Sequence, residues 1–347
     1  MTSLSTHAII ILCAAGLLAG CGDDTANPTV LDSFGFRRIG GFTTLGSARG
    51  LCFDEDTVFV ADNELGVSIW KLNANGATFL DTLDYMNSVA QVAYAAQCRL
   101  LFVLSKTWHN EVIALDRSAD YQYAYCFGNK LLEDFYIEDV SPDAFLIIYC
   151  GVELYGIYAV RYFRNVDLDI WDCDMWGHFD SRLRSYHAIE RIGSYLFVAQ
   201  GEWGLQVFRL DRAEMYTIPI TELGLCDLYG SALDVAVDSS ARCAYLACQF
   251  AGLAVVNISD PDYPRLLAQF VPDGVRDAFK VAVDGNTVYM LDRENGLFAI
   301  DVTVRTAPRL IGVYHSPKPS SITVRASDHT LFLTDEYQGV IVLQMQS

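Results

Sequence analysis

The sequence lacks the short motifs that mark many enzymes. It has no GxSxG, no HExxH and no glycine-rich phosphate loop. It also lacks a CxxC pair and any Cys/His spacing typical of a zinc site, so thiolate metal ligation is not expected. No apolar run reaches the roughly 20 residues that a membrane-spanning helix needs. These absences exclude the simplest catalytic assignments and predict no cofactor.

Basic residues are scarce. The chain has 24 Lys and Arg against 43 Asp and Glu, which gives a formal net charge of −19. This balance disfavours nucleic-acid backbones and anionic lipid surfaces as partners, because both repel an acidic protein. Cationic ligands, metal ions or simple solubility outside the cell remain compatible with it. We therefore predict no nucleic-acid partner.

The first 20 residues differ from the rest of the chain. The opening MTSLSTH has no Lys or Arg, which departs from the usual basic start of an export signal. Ala8–Leu18 is an uncharged apolar run of signal-peptide length, and the following Leu18-Ala19-Gly20-Cys21 resembles the lipobox of bacterial lipoproteins. The resemblance implies cleavage before Cys21 and lipid on its thiol, and more than one acyl chain makes such anchoring stable. An ordinary secretory signal is the alternative.

These features predict three segments. Residues 1–20 are expected to be the signal peptide, 21–34 a polar lipidated tether and 35–347 the folded domain. The expected location is the periplasmic or cell-surface side of a bacterial membrane, with the lipid as the contact to that membrane.

A repeat of 43 to 48 residues runs through the folded part. Each copy has a short apolar strand, a polar turn, a marker residue and a second apolar strand, and further strands precede and follow this unit. The marker is glycine in six copies and Glu111 in the weaker second copy. Seven such copies predict an all-β fold, a seven-bladed β-propeller with four strands in each blade, and we expect it to be a monomer. The marker positions of the copies are Gly66, Glu111, Gly156, Gly204, Gly252, Gly296 and Gly339.

The two ends of the folded part complement each other. The seventh copy ends without an outer strand, whereas Phe36–Phe42 (FRRIGGF) has the pattern of an outer strand and no blade of its own. We therefore predict that this segment completes the last blade and closes the ring, which removes the exposed sheet edges. A solenoid with open ends is the alternative.

The most regular copies resemble a known repeat. GLAVVNISDPDYPRLLAQF and GLFAIDVTVRTAPRLIGVY are similar to the LVIVD repeats of bacterial and archaeal surface propellers. The resemblance is good over about residues 190–347, fair over 50–75 and poor over 85–185. It implies a propeller and an extracytoplasmic setting, and it carries over no catalytic residues.

Acidic clusters have structural explanations. Asp167, Asp169, Asp172 and Asp174 lie in a predicted outer strand, where alternation places them in two pairs on opposite faces. We therefore expect a solvated blade edge there, with a calcium site as the alternative. The acidic turn residues are expected because tight turns tolerate them. They are Asp62, Glu64, Asp292, Glu294, Asp335 and Glu336.

Irregular loops point to one face of the propeller. The turns between second and third strands are longer in blades 2 and 3, and the long aromatic connections between blades open on the same face. Loops on a rigid scaffold commonly carry binding residues. The candidate interaction residues are Trp108, His109, Tyr155, Trp176, His178 and Tyr229. The candidate ligand-binding residues at the mouth of the central channel are Arg49, Gln91, Asp139, His187, Asp234 and Lys280.

Eight cysteines remain once Cys13 is removed and Cys21 is lipidated. Strand directions favour Cys126–Cys150 and Cys226–Cys248 as disulfides in an oxidising compartment, with buried free thiols as the alternative.

The leading functional hypothesis is a membrane-anchored binding or scaffold module for a protein or glycan. The rival hypothesis is a hydrolase or lyase at the channel mouth, which would need a perturbed acid or base beside a cation or oxyanion site. The sequence shows no such set, so an enzyme is the less favoured assignment.

Overall fold

The computed structural model describes residues 33–73, 76–84, 87–106, 111–117, 122–127, 133–141, 144–151, 156–165, 170–180, 184–211 and 217–346, and for some strand residues of blades 2 and 3 it describes the backbone alone. They all belong to one compact unit, Leu31–Ser347. No helix within these ranges is long and apolar enough to cross a membrane.

Within the described ranges, twenty-eight strands form seven antiparallel four-stranded sheets, each of which is one blade. Blade 1 contains β2 (Gly50–Asp54), β3 (Thr57–Ala61), β4 (Val67–Asn73) and β5 (Gly76–Leu83). Blade 2 contains β6 (Val89–Ala95), β7 (Leu100–Ser105), β8 (Glu111–Asp116) and β9 (Gln122–Phe127). Blade 3 contains β10 (Asp134–Ser141), β11 (Ala144–Gly151), β12 (Gly156–Asn165) and β13 (Ile170–Asp180). Blade 4 contains β14 (Ala188–Ile192), β15 (Tyr195–Ala199), β16 (Leu205–Leu210) and β17 (Ile220–Cys226). Blade 5 contains β18 (Asp234–Asp238), β19 (Cys243–Ala247), β20 (Leu253–Asn257) and β21 (Arg265–Phe270). Blade 6 contains β22 (Ala278–Asp284), β23 (Thr287–Asp292), β24 (Gly296–Asp301) and β25 (Arg309–Tyr314). Blade 7 contains β26 (Pro319–Arg325), β27 (Thr330–Asp335), β28 (Gly339–Met345) and β1 (Phe36–Phe42).

The predicted closure is confirmed. Strand β1 pairs antiparallel with β28, from Phe36 opposite Met345 to Phe42 opposite Val340, and so forms the outer strand of blade 7. The first strands of all seven blades contact their neighbours in sequence, and β26 contacts β2. These contacts complete a ring around a central channel, as expected for a propeller and not for an open solenoid.

The hydrophobic core is divided among the seams between blades. Seven clusters of buried side chains each join two neighbouring blades, for example Phe197 and Leu205 of blade 4 with Leu246 and Ala254 of blade 5. The second strands supply apolar residues to both sides of a sheet, and β3 and β19 are buried at every position. This double burial explains why these strands are continuous apolar runs in the sequence.

The repeated glycine has a backbone role. Gly252 and Gly296 have φ angles of 70° and 92°, in the left-handed region that favours glycine. A Cβ atom on either residue would lie 2.4 Å from a carbonyl oxygen of the outer strand or its end, Phe270 O and Tyr314 O respectively. Glycine therefore recurs because the turn must pass against the backbone of the fourth strand.

We name the two ends of the propeller by their loops. The loop-rich face carries the connections between blades and the turns between second and third strands. The short-turn face carries the turns between first and second strands. First strands begin at the loop-rich face, so their opening residues surround one mouth of the channel.

The outer strand of blade 3 lies later in the chain than predicted. Strand β13 covers Ile170–Asp180, because it pairs with the long β12 from Gly156 opposite Asp180 to Asn165 opposite Ile170. Trp176 and His178 are therefore strand residues and not loop residues. Asp172 and Asp174 are strand residues, and Asp167 and Asp169 lie outside the described residues.

The cysteine predictions have different outcomes. Cys226 and Cys248 are both buried free thiols, so the predicted bond between them is not formed in this structure. They pack in the apolar cluster between blades 4 and 5, as the alternative of buried thiols expected. The Cys126–Cys150 prediction involves side chains outside the described part of the chain.

Candidate functional site

The mouth of the channel is a polar cavity of about 480 Å³ at the loop-rich face. Arg49, Gln91, His187 and Lys280, which the sequence predicted for this place, line it together. The charged side chains of the lining are Arg49, Lys106, Lys280, Arg293, Lys318, Glu133 and Glu336.

Charged pairs at the mouth cross the seams between blades. Arg49 Nη1 lies 2.8 Å from Glu336 Oε1 and joins blades 1 and 7. Lys106 Nζ lies 2.9 Å from Glu133 Oε2 and joins blade 2 to the start of blade 3. These pairs are partly open to water, so each contributes little to stability.

The lower channel is a second cavity, of about 580 Å³, which continues inward from the mouth. It shares Gln91, Lys280, Ser321 and Thr323 with the mouth, and its own ionisable side chains include three carboxyls. The carboxyls belong to Asp134, Glu190 and Asp234.

Two of these carboxylates join neighbouring blades. Asp134 Oδ2 accepts the N–H of Ile189 at 2.9 Å, and Asp234 Oδ2 accepts the N–H of Val281 at 2.9 Å. Asp234 Oδ1 also accepts a hydrogen bond from Lys280 Nζ at 3.3 Å. Both aspartates are buried, and such a group is costly to leave unpaired, so these bonds fix the spacing of the inner strands.

Burial and like charge raise the pKa values of the carboxyls. Burial, with Asp134 and Asp234 nearby, raises the pKa of Glu190 to about 8, so most of it is protonated at neutral pH. Burial also raises the pKa of Asp134 and of Asp234, although Lys280 opposes the shift. Burial acts to lower the pKa of Lys280, but the two aspartates outweigh it and the pKa is raised.

The remaining ionisable group that was predicted at the mouth is His187. Burial lowers the pKa of its imidazole, and the nearby Glu133 only partly opposes this effect. His187 is therefore neutral at neutral pH and offers a hydrogen-bond donor or acceptor to the cavity.

The aspartate that the sequence predicts at the channel mouth in blade 3 is the wrong one. Asp139 is paired with Phe145 near the end of β10 at the short-turn face, and its side chain is not described. Asp134, which begins β10, occupies the place of Asp234 in blade 5. The signal was present, because Asp134-Phe135-Tyr136-Ile137 has the same polar and apolar pattern as the run from Asp234 to Val237.

Several residues that line the mouth are not predicted from the sequence, because they lie in turns. The sequence predicts Glu336 as a turn residue, although its side chain accepts a hydrogen bond from Arg49. Arg293 occupies the same repeat position in blade 6 and also lines the mouth. The neighbouring Asp292 and Asp335 do cap their turns, since each accepts backbone N–H groups there.

An aromatic ledge lies on the loop-rich face of blades 4 and 5. It consists of Trp203, Tyr229 and Phe250, whose exposed fractions are 48%, 71% and 54%. The rings of Tyr229 and Phe250 meet edge to face with centroids 5.5 Å apart. The guanidinium of Arg184 lies 5.4 Å from the centre of the Trp203 ring.

The ledge is held by its backbone. The amide of Gln269 brackets Tyr229, because Oε1 accepts the Tyr229 N–H at 3.3 Å and Nε2 donates to the Tyr229 carbonyl at 2.5 Å. The same connection is held to the turn of blade 4 by two backbone hydrogen bonds between Ala232 and Gly201. Tyr229 is therefore exposed on a fixed loop.

The other predicted interaction residues have separate outcomes. Trp108, His109 and Tyr155 lie outside the described residues, as does the side chain of Trp176. His178 is exposed on β13, where its ring stacks on Tyr158 with centroids 4.6 Å apart. Among the described residues, no group of three or more His, Cys, Asp or Glu side chains is arranged to hold a metal ion.

Comparison with known proteins agrees with this fold. Residues 229–271 and 275–316 match the LVIVD repeat, so the chain contains two such repeats, in blades 5 and 6. No curated protein matches the chain significantly. Among solved structures, the computationally designed Ika8 protein is similar with a TM-score of 0.60 and 8% identity, over 88% of this chain and 99% of that one. This likeness concerns the fold alone.

Proposed function

We propose that this protein is a binding or scaffold module that takes a protein or glycan partner on its loop-rich face. We further propose that lipid on Cys21 holds it at the extracytoplasmic side of a bacterial membrane. A propeller with LVIVD repeats is an architecture suited to binding or scaffolding in general.

The aromatic ledge is the observation that supports a binding face. Exposed Trp and Tyr side chains are common anchors of interfaces, because they offer a large contact area and lose little conformational freedom. Tyr229 combines these properties with a backbone that is already fixed, and the N–H of Trp203 donates to Gln200 O at 3.1 Å. A partner that stacks on them therefore pays little of the usual ordering cost.

The channel gives less support to the rival hydrolase or lyase. Glu190 has a raised pKa, which suits a general acid, and Lys280 is a nearby cation. However, Asp134 and Asp234 are engaged by backbone N–H groups of the neighbouring blades. Their hydrogen bonds are explained by the fold, which favours binding over catalysis.

A double variant of the ledge tests the binding face. Trp203→Ala/Tyr229→Ala is compared with the unchanged protein on a glycan array and in crosslinking to extracellular proteins. The matched control is Phe79→Ala/Tyr263→Ala, which removes exposed rings away from this face. We expect the ledge variant to lose the partners that the control keeps. Equal binding by both variants would place the partner elsewhere.

A separate experiment tests the anchor. Cys21→Ser removes the only thiol in the lipobox-like sequence, so we expect the protein to move from the membrane fraction to the soluble extracytoplasmic fraction. The matched control is Cys52→Ser, which changes a thiol within the propeller. Retention of the Cys21 variant on the membrane would mean that the anchor lies elsewhere.

A further inference from the structure

The mouth of the channel concentrates positive charge in an acidic protein. Among the residues that the structure describes, five Lys and Arg side chains and two Glu side chains line this cavity, in a chain with 24 Lys and Arg against 43 Asp and Glu. Glu336 and Glu133 pair with Arg49 and Lys106, and Asp234 and Asp277, outside the lining, pair with Lys280 and Arg293, so one positive charge, that of Lys318, remains in excess. The sign of this local charge is opposite to that of the whole chain, and a cleft of one sign attracts ligands of the other.

The cations keep donors available for a ligand. Arg293 uses one nitrogen, Nη1, to reach Asp277 Oδ2 at 3.1 Å, and its side chain is half exposed. Asp277 does not itself line the cavity. A guanidinium has further N–H donors in a planar fork, which matches a carboxylate or phosphate. Lys318 is exposed, and its ammonium has no ion pair within the described part of the chain.

The rim of the mouth is held by backbone hydrogen bonds. Lys106 N–H donates to Ser88 O at 2.8 Å, and Arg293 N–H donates to Asp277 O at 3.1 Å. Glu336 N–H donates to the carbonyl of Lys318 at 2.9 Å, which joins the turn of blade 7 to the connection that precedes it. The main chain beneath these cations is therefore set before a ligand arrives, which lowers the cost of binding.

The lower channel limits how far an anion enters. Lys280 lines both the mouth and the lower channel, and its partner Asp234 lines only the lower channel, together with Asp134 and Glu190. The negative charges of Asp134 and Asp234 repel an anionic group that passes Lys280. The bulk of its ligand then remains on the loop-rich face.

We propose that the channel mouth is a subsite for an anionic group, a carboxylate or a phosphate, of the ligand that the loop-rich face binds. This inference deepens the proposed function and rests on the loop-rich face being the binding face. Arg293 and Lys318 contact the anion at the rim, and Lys280 marks the depth at which it stops.

The test measures anion binding with small probes. Citrate and inorganic phosphate are titrated separately into the full-length protein by calorimetry, with sodium chloride at matched ionic strength as the control. We expect a single site for at least one probe, and binding of only one probe identifies the preferred anion. Binding of neither probe above the salt control would overturn the proposal.

Two double variants separate a local site from the total charge. Arg293→Gln/Lys318→Gln is expected to weaken binding about tenfold, since it removes two charge-assisted contacts. Arg265→Gln/Arg309→Gln changes the net charge equally on exposed outer strands and is expected to weaken binding less than about twofold. Equal weakening by both would show diffuse attraction and contradict a built subsite.

The outcome is independent of the partner experiments. Loss of partners in the Trp203→Ala/Tyr229→Ala variant without any anion binding would leave the binding face intact and remove only the subsite. Anion binding without any partner of the ledge would remove the proposed macromolecular function and leave a small-anion site.

Discussion

The mouth and the lower part of the channel are lined by the same first strands but carry opposite charges. At the mouth, side chains pair with side chains, as Arg49 does with Glu336, and the pairs are open to water. In the lower channel, Asp134 and Asp234 accept backbone N–H groups of the neighbouring blades. The difference indicates that the lower carboxylates stabilise the ring, whereas the mouth charges can be replaced without unfolding it.

The largest expected effect is the loss of a lower-channel carboxylate. Asp234→Ala leaves the N–H of Val281 without its acceptor and Lys280 without its partner. The free energy of unfolding should fall by about 3 kcal/mol, because a buried donor and a partly buried charge lose their compensation. Urea denaturation measures it.

Asp234→Asn is the matched control for this change. The amide oxygen can still accept the Val281 N–H, so the expected loss is only about 1 kcal/mol. If Asp234→Ala is as stable as the unchanged protein, the lower channel does not differ from the mouth in the way we describe.

Glu190 gives the next largest effect, and it depends on pH. Its pKa is raised from 4.5 to about 8, so the folded protein holds this proton more tightly than the unfolded chain does. The folded state therefore binds more protons between these two pKa values, and its stability falls as the pH rises through that window. Asp134 and Asp234, in the blades on either side of Glu190, raise its pKa in the same direction as burial does.

Glu190→Gln should remove this dependence. At about pH 5 the variant and the unchanged protein should be equally stable, and at about pH 9 the variant should be more stable by roughly 2 kcal/mol, less than the full shift because the channel admits water. Thermal unfolding at the two pH values measures the difference. Glu202→Gln, at an exposed turn, is the control and should show no such change. An equal gain by Glu190→Gln at both pH values would assign the effect to packing.

The architecture was predictable because it repeats. A marker position every 43 to 48 residues, glycine in six of the seven copies, lies in a turn that passes close to the fourth strand, as Gly252 does against Phe270 O. The unmatched strand Phe36–Phe42 showed where the ring closes, because each blade needs an outer strand. Such signals are local in sequence, or recur at a fixed spacing, and need no knowledge of side-chain contacts.

The charge of the mouth was not predictable in the same way. Arg293 and Glu336 occupy one repeat position and have opposite charges, so the repeat identifies the place and not the sign. The total charge of −19 is compatible with cationic ligands, and it does not reveal that five Lys and Arg side chains line the mouth. In blade 3, Asp134 and Asp139 both follow a glutamate, and only the pairing of β10 with β11 shows which one begins the strand.

The smallest expected effect is at the mouth, where Arg49→Gln removes the pair with Glu336. The side chains of Arg49 and Glu336 are 38% and 17% exposed, and exposed pairs contribute little, so the free energy of unfolding should change by less than about 0.5 kcal/mol. The pair spans the seam that closes the ring, which makes it the strictest place to test this expectation.

Arg325→Gln is the control, since its pair with Asp328 lies within blade 7 at the short-turn face, with Arg325 Nη2 2.5 Å from Asp328 Oδ2. Urea denaturation should give the same small change for both variants. A loss above about 1.5 kcal/mol for Arg49→Gln alone would show that this mouth charge holds blades 1 and 7 together, as the lower carboxylates do for their own seams.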